Sequence, residues 1–143
     1  MLFSESVIAP DTIRAYLETE YRVHGEPGLT LLVGRVCFDL VSAHKRHQAN
    51  CSAFLTACNP FSEPCNAATN AARQQALAEE LLRRNLTFLR GIGQHPSNGW
   101  PGEDSYLVFG VTLAEAKDIG SIFEQNGLIW NGADGVPQLI LLR

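Results

Sequence analysis

Residues 51–73, CSAFLTACNPFSEPCNAATNAAR, set an apolar strand, a polar turn and the start of a polar helix side by side. Residues 53–57 form a short apolar run with an aromatic and a β-branched side chain, and Asn59-Pro60 ends it as a turn ends a strand. Pro60 disfavours the α region for Asn59, so Asn59, Pro60, Ser62, Pro64 and Asn66 read as a rigid loop leading into a helix over residues 67–84. On that helix Asn70, Arg73, Leu77, Leu81 and Arg84 share one face, with Ala71, Ala78 and Leu82 close to it. The stripe is apolar except at its beginning. Arginine is rarely buried without partners, which leaves two readings. In one, Asn70 brackets the Asn59-Pro60 loop and Arg73 pairs with a carboxylate that holds it shut. In the other, strand end, helix N-terminus and Arg73 form a crevice suited to an anion.

The 143 residues, 45% hydrophobic and 18% charged, suit one folded domain over residues 1–143 that buries its own core. A formal charge of -4 gives no overall basic surface, so nucleic acid is not expected as a partner. No segment approaches transmembrane length and MLFSESVIAPDTIR lacks a signal-peptide apolar run, so we expect a cytoplasmic, bacterial-type protein without a membrane partner. Cys37, Cys51, Cys58 and Cys65 are then expected as thiols. His44, His47 and Cys51 can be drawn as a metal corner, but basic residues at a solvated helix end explain them more simply. No metal or other cofactor is expected.

Before the turn, Asp11 is a candidate N-cap for a helix through Ile13, Tyr16, Leu17 and Tyr21 that ends near Val23. Residues 29–33 have the continuous apolar run of a central strand, and residues 38–47 read as a second helix. Beyond the long helix, residues 86–89 read as a strand entering a glycine loop, Gly91-Ile92-Gly93. Residues 94–105, QHPSNGWPGEDS, have the turn chemistry of an ordered loop, and residues 106–111 form a strand. Thr112 and Glu115 fit a capping box opening a helix that Asn126-Gly127 ends. Residues 128–130 and 138–142 then pair as a hairpin. The expectation is an α+β fold, a mixed sheet of five to six strands with helices packed on it.

Several spaced motifs now stand together: Tyr16, Thr19 and Tyr21; Thr56, Asn59 and Pro60; Asn70, Arg73 and Leu77; Trp100, Glu103 and Ser105. In this arrangement the chain resembles an uncharacterised bacterial family, domain of unknown function 3293, from about Ile13 to Leu142. The resemblance implies no activity. Cys58 departs from it, standing where many relatives are expected to carry a tryptophan.

What the resemblance implies is a shortlist of site residues from separate segments: Thr56, Asn59, Asn70, Arg73, Trp100, Glu103 and Ser105. If Glu103 meets Arg73, the pair locks the Trp100 loop over the strand end. If Glu103 faces an open cleft, burial raises its pKa toward acid or base work. Phosphate-loop, dinucleotide, zinc-protease and nucleophile-elbow signatures are absent. A Cys58 nucleophile near His95 is imaginable but is not required by the resemblance. The leading expectation is a domain that binds a small molecule carrying an anionic or amide group. The alternative is an interaction or accessory module whose polar cluster is internal scaffolding. A third expectation is a homodimer formed by strand addition along residues 138–142.

Overall fold

The structure, a computed structural model, describes residues 3–143. After a short 3-10 turn at Phe3–Glu5, the elements run α1 (Pro10–Glu18), β1 (Glu20–Val23), β2 (Leu29–Leu31), α2 (Phe38–Arg46), β3 (Ser52–Leu55), α3 (Ala67–Arg83), β4 (Thr87–Gln94), β5 (Glu103–Phe109), α4 (Leu113–Ile122), β6 (Gly127–Asn131) and β7 (Pro137–Leu141). The seven strands form one sheet in the order β2-β1-β4-β5-β3-β6-β7, and every neighbouring pair is antiparallel.

The sheet is therefore neither mixed nor limited to five or six strands. Helical crossovers do join strands running the same way, β3 to β4 through α3 and β5 to β6 through α4. In each case an antiparallel strand lies between the joined pair, β5 in the first and β3 in the second. This is the split β-α-β arrangement, extended by the β1–β2 hairpin on one side and by β7 on the other. Strand β7 is an edge strand, at the position where strand addition is expected.

Alternation along the central strands separates two cores. Ala53, Leu55 and Val108 face α3 and α4, meeting Leu77, Leu81, Ala116 and Ile119. Phe54, Leu107, Ile129 and Leu139 face the other way, toward Ile13 of α1 and Leu40 and Ala43 of α2. Because both faces are covered, β3 is buried at every position. Leu77 and Leu81 are fully buried, each contributing about 2 kcal/mol to holding α3 on the sheet. Leu82, read as close to that stripe, is instead exposed. The Thr112–Glu115 capping box forms as expected.

The helical reading carries α1 to Val23, but residues 20–23 form β1. Thr19 is already extended, at φ -66° and ψ 142°, and Tyr21 and Val23 then alternate as a strand's inward positions do. Gly91, Ile92 and Gly93 are not a loop either: they lie inside β4, paired with Val23, Arg22 and Tyr21 on one side and Ser105, Asp104 and Glu103 on the other. Directly paired residues point to the same face, so two rows cross three strands: Val23–Gly91–Ser105 and Tyr21–Gly93–Glu103. The edge of the Phe54 ring fills the gap over Gly91. The gap over Gly93 stays open.

The first histidine of the suggested metal corner is not solvated. His44 is 3% exposed, its Nε2 lies 2.8 Å from Ser52 Oγ, and burial lowers its pKa. His47 stacks on Phe109, and the Cys51 thiol donates to the Val111 carbonyl. Among the described residues no group of His, Cys, Asp or Glu converges as a metal site, and all four cysteines are free. No described helix is long and apolar enough to cross a membrane.

The two strand glycines differ in what they would tolerate. A Cβ at Gly91 would lie 2.4 Å from the Arg22 carbonyl oxygen, whereas at Gly93 its nearest neighbour is 3.7 Å away. Gly91→Ala is expected to lower stability by about 2 kcal/mol or more, and Gly93→Ala to raise it by about 0.5–1 kcal/mol. Denaturant titration of both variants checks this. Equal losses would contradict the row assignment.

Candidate functional site

After Leu55 the chain leaves the sheet while still buried, and the backbone polar groups of the next residues need partners. Side chains supply most of them. Ala57 N–H donates to Gln74 Oε1 at 3.0 Å, and the Ala57 carbonyl accepts from Arg73 Nε at 2.7 Å. Cys58 N–H donates to Thr56 Oγ1 at 3.1 Å, and its carbonyl accepts from Gln125 Nε2 at 3.1 Å. Asn59 N–H donates to Asn70 Oδ1 at 2.9 Å, while its carbonyl accepts from Ser62 N–H at 2.8 Å. Asn59 itself is left-handed, at φ 48°, a conformation asparagine accepts more readily than most residues.

Arg73 is a clamp, and its partner is not Glu103. Its guanidinium donates to the Ala57 carbonyl and, at 2.6 Å, to the Phe123 carbonyl, joining the strand end to the end of α4. Its ion pair is with Glu124, at 3.6 Å, and Glu124 is half exposed. An ion pair of that kind contributes less than about 1 kcal/mol, whereas each bond from a charged donor to a buried carbonyl contributes about 1.5–3 kcal/mol. The carbonyls decide the role of Arg73.

A relay of two asparagines orients Glu103 instead. Asn70 Oδ1 accepts from a backbone N–H, so its Nδ2 donates to Asn59 Oδ1, at 2.9 Å. Asn59 Oδ1 also accepts from Cys65 N–H, which leaves Asn59 Nδ2 to donate to Glu103 Oε2, at 2.7 Å. Among the described residues this is the one hydrogen bond to the Glu103 carboxylate. Burial pushes its pKa up, and the Asn59 bond pulls it part of the way back.

Glu103 lines a cavity of about 530 Å³ on the sheet face opposite α3 and α4, between the end of α1, the Asn59 turn and the loop before β5. Tyr21, Phe54 and Gly93 form part of its floor, and Trp100, 47% exposed, stands at its rim. His95 ties the rim loop to α1: its Nδ1 accepts from the N–H groups of Ser97 and Asn98, and its Nε2 faces Glu18 at 3.1 Å. Tyr16 shares a hydrogen bond with Ser62 and accepts another from Asn126 Nδ2 at 3.0 Å, closing the opposite side.

Of the residues singled out in the sequence, Thr56, Asn59, Asn70, Trp100, Glu103 and Ser105 line this cavity, and Arg73 does not. Thr56 and Ser105 spend their hydroxyls on backbone carbonyls, of Asp104 and Glu103. Glu103 and Ser105 belong to β5, not to the preceding loop. Cys58 also lines the cavity, but burial raises its pKa, and both ring nitrogens of His95 are engaged elsewhere. The thiol is not activated. Sequence reasoning missed Gln74, Tyr16 and Tyr21 as parts of the site. Gln74 lies on the Asn70–Leu77–Leu81 stripe, and the two tyrosines had been noted only as a motif.

Two variants separate the clamp from the carboxylate. Arg73→Ala leaves two buried carbonyls without that donor and is expected to cost about 3 kcal/mol, a fall in Tm of about 10 °C. Glu103 behaves oppositely. Its folded pKa is raised, so the protonated form suits the fold, and stability is lost as pH rises through the folded value. Glu103→Gln keeps an acceptor for Asn59 and is expected to melt a few degrees above wild type at neutral pH, the gap narrowing toward about pH 4. Thermal melts across pH check both expectations.

Neither the curated proteins nor the solved structures contain a match to the chain. A family model described as Protein of unknown function (DUF3293) matches residues 55–128, which take in the Asn59 turn, α3, the β4–β5 hairpin and α4. The match begins after Tyr16, Thr19 and Tyr21, and it covers just over half of the 143 residues. The chain belongs to this family.

Proposed function

We propose that the chain is a small-molecule binding domain whose ligand occupies the cavity and presents a hydrogen-bond donor, such as an amide N–H, to Glu103. The observation that carries this reading is the Glu103 carboxylate, oriented by the Asn70–Asn59 relay and lining a cavity with the single hydrogen bond from Asn59. The volume of about 530 Å³ falls within the range of small-molecule sites. A half-buried carboxylate with one neutral partner costs the fold stability, and groups held at such a cost cluster at functional sites. The anionic ligand expected from Arg73 is not favoured. That guanidinium is committed to Ala57, Phe123 and Glu124, and no lysine or arginine is among the lining residues.

The alternative, an accessory module with a structural polar cluster, draws support from the inward hydrogen bonds of Asn59, Asn70 and Arg73. A thermal-shift screen of amide- and amine-bearing metabolites separates the two. Hits are expected with wild type and are expected to disappear in Gly93→Leu, where a side chain fills the floor. Absence of any hit with wild type favours the accessory module, and hits that survive in Gly93→Leu place binding elsewhere.

A further inference from the structure

We infer that the cavity recognises a cation, a ligand with a protonated amine or quaternary ammonium on a compact apolar body, with Glu103 as its counter-ion and the aromatic walls as its cradle. The inference rests on the small-molecule reading above and narrows it to a charge.

Glu103 brings its carboxylate to the cavity, while Asp104, the next residue on β5, contributes main chain and turns its side chain to the other face; among the described residues no lysine or arginine lines the cavity. The nearby cations are turned to other work. Arg73 binds the strand-end and α4-end carbonyls, and Arg143 lies over the Phe61 ring while donating to Asn126 Oδ1 at 3.1 Å. His95 accepts two backbone N–H groups at Nδ1, and its Nε2 is directed at Glu18. Charges drawn out of water are usually paired, yet among the described residues the half-buried Glu103 carboxylate meets an amide alone. The missing partner is a positive charge brought by the ligand.

The remaining surface suits such a group. Tyr16, Tyr21, Phe54 and Trp100 all line the cavity, and aromatic faces attract ammonium groups most strongly where water is excluded. Tyr21 and Phe54 are set edge to face at 5.4 Å, and the open row position at Gly93 separates Tyr21 from Glu103. A cation seated over Gly93 would lie between aromatic and carboxylate. The high pKa of Glu103 agrees with a carboxylate that lacks a counter-ion.

The test uses the full chain and four probes of one shape: benzylamine, benzyltrimethylammonium, benzyl alcohol and benzoate. Binding is followed by backbone amide shifts as pH is raised, and cation binding is expected to strengthen as the Glu103 carboxyl ionises. Both cations are expected to shift the amides of Gly93, Gly102 and Asn126, and benzoate is not. Glu103→Gln should weaken both cations by about tenfold or more. Trp100→Ala, at an exposed rim position, should weaken benzyltrimethylammonium by about threefold with an unchanged Tm. Benzyl alcohol or benzoate binding as tightly as the cations would overturn the charge and leave the cavity reading intact. So would cation binding that is unchanged in both variants. Silence from all four probes would overturn both readings.

Discussion

A buried chain that leaves a sheet must still satisfy its backbone, and that constraint governs this molecule between Ala57 and Asn59. Strands β5 and β6 run on without pairing to it there, so the donors and acceptors come from Thr56, Asn70, Arg73, Gln74 and Gln125, with one backbone group from Ser62. The helix start is polar for this reason. Its first inward positions face peptide groups, not side chains, and its stripe becomes apolar only at Leu77, where it reaches the face of the sheet.

The same solution sets the site. Asn70 is fixed by a backbone N–H, Asn59 by Asn70 and Cys65, and Glu103 by Asn59. Each step removes a rotational choice from the next, so the carboxylate is positioned without the cation that usually orients one. Arg73 spends its charge on the fold, whereas ionising Glu103 costs the fold stability.

Much of this was legible in the sequence because it is local. The strand ended by Asn59-Pro60, the long helix after it, the capping box at Thr112 and the terminal hairpin all carry turn or cap chemistry within a few residues. Thr19–Val23 misled because Tyr16 and Tyr21 fit a helical face as well as a strand, and Gly91-Ile92-Gly93 because a strand glycine looks like a turn until its neighbours are known. Strand direction was out of reach: β5 separates β3 from β4 through pairings that no stretch of sequence displays. Arg73 was singled out correctly as a residue in need of partners. Its ion pair with Glu124 is the expected carboxylate, but its closer partners are main-chain carbonyls, which every residue has and no sequence pattern marks.

Gly93 carries a consequence for how this sequence can change over time. Glycine within a strand is unfavourable by about 0.5–1 kcal/mol relative to alanine, and here the surroundings would accept a methyl group at 3.7 Å. Drift under selection for stability alone would replace it, and each larger replacement would silt up the floor. Gly91 is held in place by the main chain of the neighbouring strand, but nothing in the packing holds Gly93. Under the ligand-binding reading proposed above, the empty floor is what would select for glycine at this position.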